Sequence, residues 1–227
     1  MISGKTRLVG LLGHPVSESL SPTMQNAAFA ASGLDWAYLA CDVSLEAFEP
    51  AVRGLLAAGF AGANVTAPYK LAAAALVETD LPSVNTLGFE DGRIHGFSTD
   101  AAVLAGLRAE RPVVLGDGGA AAAFRAALPQ ARTFARRGEW PPDVGDADLV
   151  VNATSERDEV LAELGSGQTL IDLPYPETAT ARTARERGAR VVGGLEVLVA
   201  QGAASFELWT GVPAPVEAMR LAVGLSS

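Results

Sequence analysis

The sequence predicts an α/β protein of two domains, and three observations predict it. Short apolar runs rich in Val, Leu and Ala alternate with longer segments of helical period. A charged stretch ending in proline, Leu107-Arg108-Ala109-Glu110-Arg111-Pro112, interrupts that alternation near the middle of the chain. A glycine-rich turn follows one short strand later.

The elements follow in order. Strands are expected at Leu8 to Leu12, Ala37 to Val43, Gly62 to Val65, Val113 to Leu115, Leu149 to Asn152, Thr169 to Leu173 and Arg190 to Val192. Each is a short apolar run of the kind buried on both faces of a parallel sheet. Helices are expected at Ser21 to Ser32, Leu45 to Ala58, Ala120 to Ala127, Ala179 to Glu186, Leu195 to Leu208 and Ala214 to Val223, with Asp100 to Arg108 as a connecting helix. Strand and helix in alternation imply largely parallel sheets with right-handed crossovers. The expected domains are residues 1–108, joined by the C-terminal helices 195–227, and residues 109–194.

Composition narrows the classes of function. Of the 227 residues, 49% are apolar and 19% charged, a balance that excludes a disordered or fibrous chain. No apolar stretch reaches the roughly 18 residues of a membrane span, and the start lacks the apolar core of a secretory signal. Cys41 is the single cysteine, so no internal disulfide forms, and two histidines do not assemble an ordinary zinc site. The expectation is a cytoplasmic, metal-free protein. A net charge of −9 disfavours nucleic acid, yet the 17 Lys and Arg leave room for a local anion pocket.

Val113-Val114-Leu115-Gly116-Asp117-Gly118-Gly119-Ala120-Ala121 reads as strand, tight turn and alanine-rich helix, and fits G-x-G-x-x-[GA]. Gly116 permits the turn, Gly118 lets backbone approach a pyrophosphate, and the helix start at Gly119 and Ala120 offers free N–H groups and a positive dipole end. The alternative is an ordinary strand-to-helix turn. Twenty positions on from Gly116, at the end of the next strand, stand Arg136 and Arg137 in Phe134-Ala135-Arg136-Arg137-Gly138. Arginine there suits a ribose 2′-phosphate and so favours NADP, with NAD as the second possibility. A solvated surface pair is the plain alternative.

Three polar clusters of the first half fall at predicted strand ends. In Gly13-His14-Pro15-Val16-Ser17-Glu18-Ser19-Leu20-Ser21-Pro22, the hydroxyls of Ser19 and Ser21 lie beside a helix N-terminus and suit a carboxylate, although helix capping explains Ser21 equally well. In Asn64-Val65-Thr66-Ala67-Pro68-Tyr69-Lys70, Pro68 is expected to start a helix with Lys70 in its first turn. A lysine is unfavourable at the positive end of a helix dipole, which points to a purpose other than helix stability. The third cluster is Val84-Asn85-Thr86-Leu87 with Gly96-Phe97-Ser98-Thr99-Asp100.

In this order, the clusters resemble the shikimate dehydrogenase family, including its quinate/shikimate branch. The likeness runs from Leu8 to Gly211 and continues through Asn152-Ala153-Thr154-Ser155, Tyr175 with Pro176 and Thr178, and Gly194-Leu195 with Gln201, Phe206, Trp209 and Gly211. It implies an N-terminal α/β substrate-binding domain joined to a C-terminal Rossmann-like NADP-binding domain, and reversible oxidation of shikimate to 3-dehydroshikimate. By resemblance, Lys70 and Asp100 are the catalytic pair. Ser19 and Ser21 hold the substrate carboxylate, Tyr175 lines the cleft, and Thr66, Asn85, Asp100 and Gln201 bind the ring hydroxyls. Thr154 and Gly194 join the glycine turn and the arginines on the cofactor side. Such a protein works on a small molecule, as a monomer or homodimer. The open alternatives are quinate as substrate, a shikimate-binding module of the same fold without turnover, and another two-domain Rossmann enzyme such as a methylene-tetrahydrofolate dehydrogenase, which leaves the paired serines unexplained.

The sequence also departs from that pattern. Glu18 stands where histidine is usual, Asp117 adds negative charge inside the glycine turn, Ala135 precedes the arginines where asparagine is common, and Ser98 replaces another asparagine. Glu156-Arg157-Asp158 follows Thr154-Ser155 in place of small residues. Only about ten residues separate Arg137 from Asp148, and Gly138, Pro141 and Pro142 break any helix there, so the Rossmann crossover is expected to be shortened. Trp140 is expected either to pack where that helix would lie or to be simply core.

Overall fold

Two five-stranded sheets organise the chain in the computed structural model, which describes residues 2–226. The chain divides into two units, one of residues up to Thr99 with those from Val199 on, the other Asp100–Leu198.

In the first unit, strands β1 (Arg7–Gly13), β2 (Trp36–Asp42) and β3 (Gly62–Val65) run parallel, and β4 (Thr86–Glu90) and β5 (Arg93–Phe97) add an antiparallel hairpin, giving the order β2-β1-β3-β4-β5. The largely parallel expectation holds, and the hairpin is an antiparallel addition to it at one edge of this sheet. The hairpin turns on Asp91-Gly92, with φ of 50° and 72° and Glu90 opposite Arg93. Positive φ at both central residues is the two-residue turn that matches strand twist, and Asp-Gly is its sequence signature. Helix α1 (Ser21–Ala31) packs Phe29 against Trp36 and against Phe206. Burying a phenylalanine this completely stabilises by about 1.5–3 kcal/mol. Helices α2 (Phe48–Ala57) and α3 (Lys70–Ala75) cover a second apolar cluster, in which Phe48 and Tyr69 stack at 4.7 Å beside Leu12, Val65 and Leu87.

The second unit is wholly parallel. Strands β6 (Pro112–Leu115), β7 (Arg132–Phe134), β8 (Leu149–Asn152), β9 (Thr169–Asp172) and β10 (Arg190–Val192) take the order β10-β9-β8-β6-β7. Alternate side chains enter two cores. Val113, Leu115, Val150 and Leu170 face one, under α5 (Ala179–Glu186), while Val114, Val151 and Ile171 face the other, under α4 (Gly119–Ala127). This period of two on strands covered on both faces is why they read as continuous apolar runs. Between β7 and β8 there is neither helix nor strand, as the shortened crossover requires. Trp140, Val144 and Ala147 of that segment pack into the first of these cores, so a loop covers sheet that a helix would otherwise cover.

Helix α6 (Gly194–Thr210) belongs to the second unit through Leu198 and to the first from Val199, and α7 (Val216–Ala222) follows. Two expectations are corrected. The connector is a short 3-10 helix over Asp100–Leu104, not a helix to Arg108, because Gly106 takes φ +79° and ends it. Pro68 does not open α3. The helix begins at Lys70 with Tyr69 as its N-terminal flank. Among the described residues no helix is long and apolar enough to cross a membrane.

Candidate active site

The polar residues of the first unit gather at one end of its sheet because β1 and β3 run parallel and β4 returns antiparallel. The C-terminal ends of β1 and β3 therefore meet the start of β4 and the end of β5. The loop after β1 is tied to its neighbours by His14 Nδ1 against Asp42 Oδ1 at 2.5 Å and by the His14 N–H donating to the Ala67 carbonyl at 3.2 Å. Chiefly through that side-chain bond, His14 holds the Asp42 carboxyl below its usual range. This loop presents Ser19, half-buried, and Ser21, buried. The capping explanation for Ser21 does not hold: Leu20 flanks the helix, no side chain caps it, and the Ser21 N–H donates to Ser19 Oγ at 3.3 Å.

Thr66 follows β3 and donates its N–H to the Leu12 carbonyl at 2.9 Å. Lys70, four residues on, is the first residue of α3, and its carbonyl accepts the Val84 N–H at 3.0 Å. That bond sets Asn85, the next residue, beside the lysine's backbone. Asn85 is buried and pinned: its Oδ1 accepts the Thr99 N–H at 2.7 Å, and its Nδ2 donates to Thr99 Oγ1 at 2.9 Å and to Gln201 Oε1 at 3.5 Å. Asp100 is the residue after Thr99 in the chain and is 6% exposed.

Behind Asn85 lies a buried network that the sequence reading left out of the site. Asn64 Nδ2 donates to the Asn85 carbonyl, Thr86 Oγ1 and Ser205 Oγ at 3.0–3.1 Å, while its Oδ1 accepts Tyr38 Oη at 2.9 Å. Ser205 Oγ lies 2.9 Å from Thr86 Oγ1 and 3.2 Å from Thr99 Oγ1, and donates to the Gln201 carbonyl at 3.0 Å. Polar groups this deep persist because each is hydrogen-bonded. The available signal was an asparagine inside an apolar strand and a serine one helical turn after Gln201.

In the second unit, the ends of β6, β7 and β8 surround a cavity of about 580 Å³. Gly116, Gly118, Arg136, Arg137 and Thr154 line it, together with Asp117, Trp140 and the segment 155–158. Gly119 and Ala120 begin α4 behind it, Gly194 begins α6, and Tyr175 stands half-buried after β9. Gly116 has φ +118°, and a Cβ there would lie 3.0 Å from the Ala153 carbonyl oxygen, so the turn excludes other residues. Space at Gly118 is open to 4 Å around a would-be Cβ, and no side chain caps α4. Backbone donors beside open space, with two arginines on the same wall, fit a dinucleotide's phosphates.

A buried relay sets the far wall. Thr178 Oγ1 donates to Asp172 Oδ2 at 2.9 Å, Asn152 Nδ2 to Asp172 Oδ1 at 2.7 Å, and Thr154 Oγ1 to Asn152 Oδ1 at 2.8 Å. Burial pushes the Asp172 carboxyl pKa up, against the pull of those bonds. The wall is also acidic. Glu156 Oε1 accepts the N–H groups of Asp158 and Arg157 at 3.0 Å and of Glu159 at 3.3 Å, which hold its carboxyl below the usual range. Arg136 Nη2 pairs with Glu159 Oε2, and its guanidinium lies 5.4 Å from the Trp140 ring centre.

Fold and sites together define a two-unit α/β protein with a buried polar cluster at a sheet end in one half and a glycine-turn cavity at the strand ends of a parallel sheet in the other. A family model described as the shikimate dehydrogenase substrate binding domain matches residues 11–88, and one described as the shikimate 5′-dehydrogenase C-terminal domain matches residues 194–223. The shikimate dehydrogenase (NADP(+)) of Anaeromyxobacter dehalogenans is 40% identical over 263 positions, covering 95% of each chain, and that of Moorella thermoacetica is 39% identical, covering 100% of this chain and 97% of its own. The shikimate 5-dehydrogenase of Thermus thermophilus, solved in complex with NADP(H) and shikimate, superposes with a TM-score of 0.82 at 31% identity, over 96% of this chain and 98% of its own. The chain belongs to the shikimate dehydrogenase family. It is a short member: an alignment of 263 positions to a chain of 227 residues leaves at least 36 positions of the relative without a counterpart.

Proposed function

We propose that this protein is an NADP-dependent oxidoreductase that interconverts shikimate and 3-dehydroshikimate. The observation that carries the reading is the convergence of Lys70, Asn85 and Gln201 at one sheet end, with Asp100 next in the chain to the pinned Thr99. When bound, the nicotinamide cofactor supplies or accepts the hydride. Gly116, Gly118, Arg136, Arg137 and Thr154, which line the cavity, would hold it.

The protein's own residues handle the substrate and the proton. Ser19 and Ser21 donate hydrogen bonds to the ring carboxylate. Thr66, Asn85 and Gln201 engage the ring hydroxyls. The Lys70 ammonium donates a proton to the oxygen that gains charge when the ketone is reduced, and takes it back in the oxidising direction. Asp100 orients the lysine and the reacting hydroxyl. The proposed domains are residues 1–108 with 195–227 for substrate and 109–194 for cofactor, whereas the chain itself divides at Thr99 and Leu198; the proposed location is the cytoplasm.

The test is NADPH appearance followed spectrophotometrically with shikimate, and with quinate in parallel. Lys70→Ala is expected to lower kcat about 10²-fold, the usual worth of acid–base assistance, with little change in the substrate KM. Full kcat in that variant, or binding of shikimate with no turnover by the native protein, contradicts the assignment.

A further inference from the structure

On the cavity's Arg136 side the charges are arranged unusually for a phosphate site. Arg136, whose place at the end of β7 suits a 2′-phosphate, is already ion-paired with Glu159 and lies over Trp140. The backbone donors of residues 157–159 turn to the Glu156 carboxylate, so they are not offered to an incoming anion. A 2′-phosphate that reaches Arg136 must share the guanidinium with one carboxylate and lie near a second, both of its own sign. A ribose 2′-hydroxyl meets the opposite situation, because it donates a hydrogen bond to a carboxylate.

We propose that Glu159 is a specificity-determining residue, which tempers the preference for the 2′-phosphorylated dinucleotide and admits the unphosphorylated one. The inference rests on the reading of this cavity as the dinucleotide site. Arg136 and Glu159 are 54% and 56% exposed, so neither supports the core, and their substitution leaves folding intact.

The experiment measures binding rather than turnover. Titration calorimetry at fixed ionic strength gives the affinities of the full chain, Glu159→Gln and Arg136→Gln for NADP+, NAD+, adenosine 2′,5′-bisphosphate and adenosine 5′-monophosphate. Glu159→Gln is expected to tighten NADP+ and the bisphosphate on the order of three- to tenfold, leaving the two ligands without a 2′-phosphate unchanged or weaker. An unmoved NADP+/NAD+ ratio in Glu159→Gln, while Arg136→Gln lowers that ratio, overturns the role of Glu159 and leaves the cofactor site standing. A ratio unmoved by Arg136→Gln overturns the phosphate position and the proposal with it. Failure of the native chain to bind either dinucleotide overturns the cavity reading itself.

Discussion

Removing the Ser205 hydroxyl tests whether the network behind Asn85 is built as described. Ser205→Ala deletes one fully buried oxygen that touches Asn64 Nδ2, Thr86 Oγ1, Thr99 Oγ1 and the Gln201 carbonyl. Most of those partners keep other bonds: Asn64 Nδ2 retains the Asn85 carbonyl and Thr86, and Thr99 Oγ1 retains Asn85. No group is stranded, so the loss is that of an ordinary buried hydrogen bond, about 1 kcal/mol. Asn64→Ala is different. It removes three donated bonds and one accepted bond at once, and leaves space in a packed strand, for a cost of about 3 kcal/mol. Urea unfolding followed by circular dichroism reads both, as a small midpoint shift for Ser205→Ala and a large one for Asn64→Ala. Equal shifts, or the reverse order, would refute the view that Asn64 is the hub and Ser205 a spoke.

Three further outcomes are expected. Gly116→Ala forces a side chain into φ +118° and against the Ala153 carbonyl, costing about 1–3 kcal/mol in thermal melts and weakening dinucleotide binding in calorimetry. Asp148 accepts the backbone N–H groups of Glu110 at 2.6 Å and Arg111 at 3.0 Å. Burial raises its carboxyl pKa, but those bonds prevail and leave it below the ordinary 3.8. A carboxyl depressed by folding stabilises above its unfolded pKa and loses that contribution as pH falls through the folded one. Asp148→Ala should therefore cost about 1 kcal/mol at pH near 7, and the gap in melting temperature to the native chain should narrow once the pH drops below 3.8. Trp140→Ala exposes core beside Val144 and removes the ring under Arg136. About 1–2 kcal/mol of stability should be lost, less than for a fully buried tryptophan, and an undiminished urea midpoint would show that the segment does not cover the sheet.

Much of the fold was legible because its central strands β3, β6 and β8 are buried along their length, and seven apolar runs match seven strands within a residue or so at each end. The hairpin of β4 and β5 was harder to read, since β5 is an edge strand whose Arg93, His95 and Phe97 are exposed, although Asp91-Gly92 carried the turn chemistry. The 3-10 connector was hidden because local helical period does not reveal that Gly106 ends it with a positive φ.

From the order of residues alone came the two-unit α/β class, the glycine turn at Gly116, the shortened crossover and the polar clusters around Ser19, Lys70 and Asn85. Only the tertiary structure decided which groups meet. Asn64 and Ser205 are 141 positions apart in the chain, yet they touch, and Glu159 reaches Arg136 across two strand ends. Periodicity reports which face of an element seeks shelter from water. It carries no information on which distant side chain waits there, because that depends on sheet order and on how each loop closes.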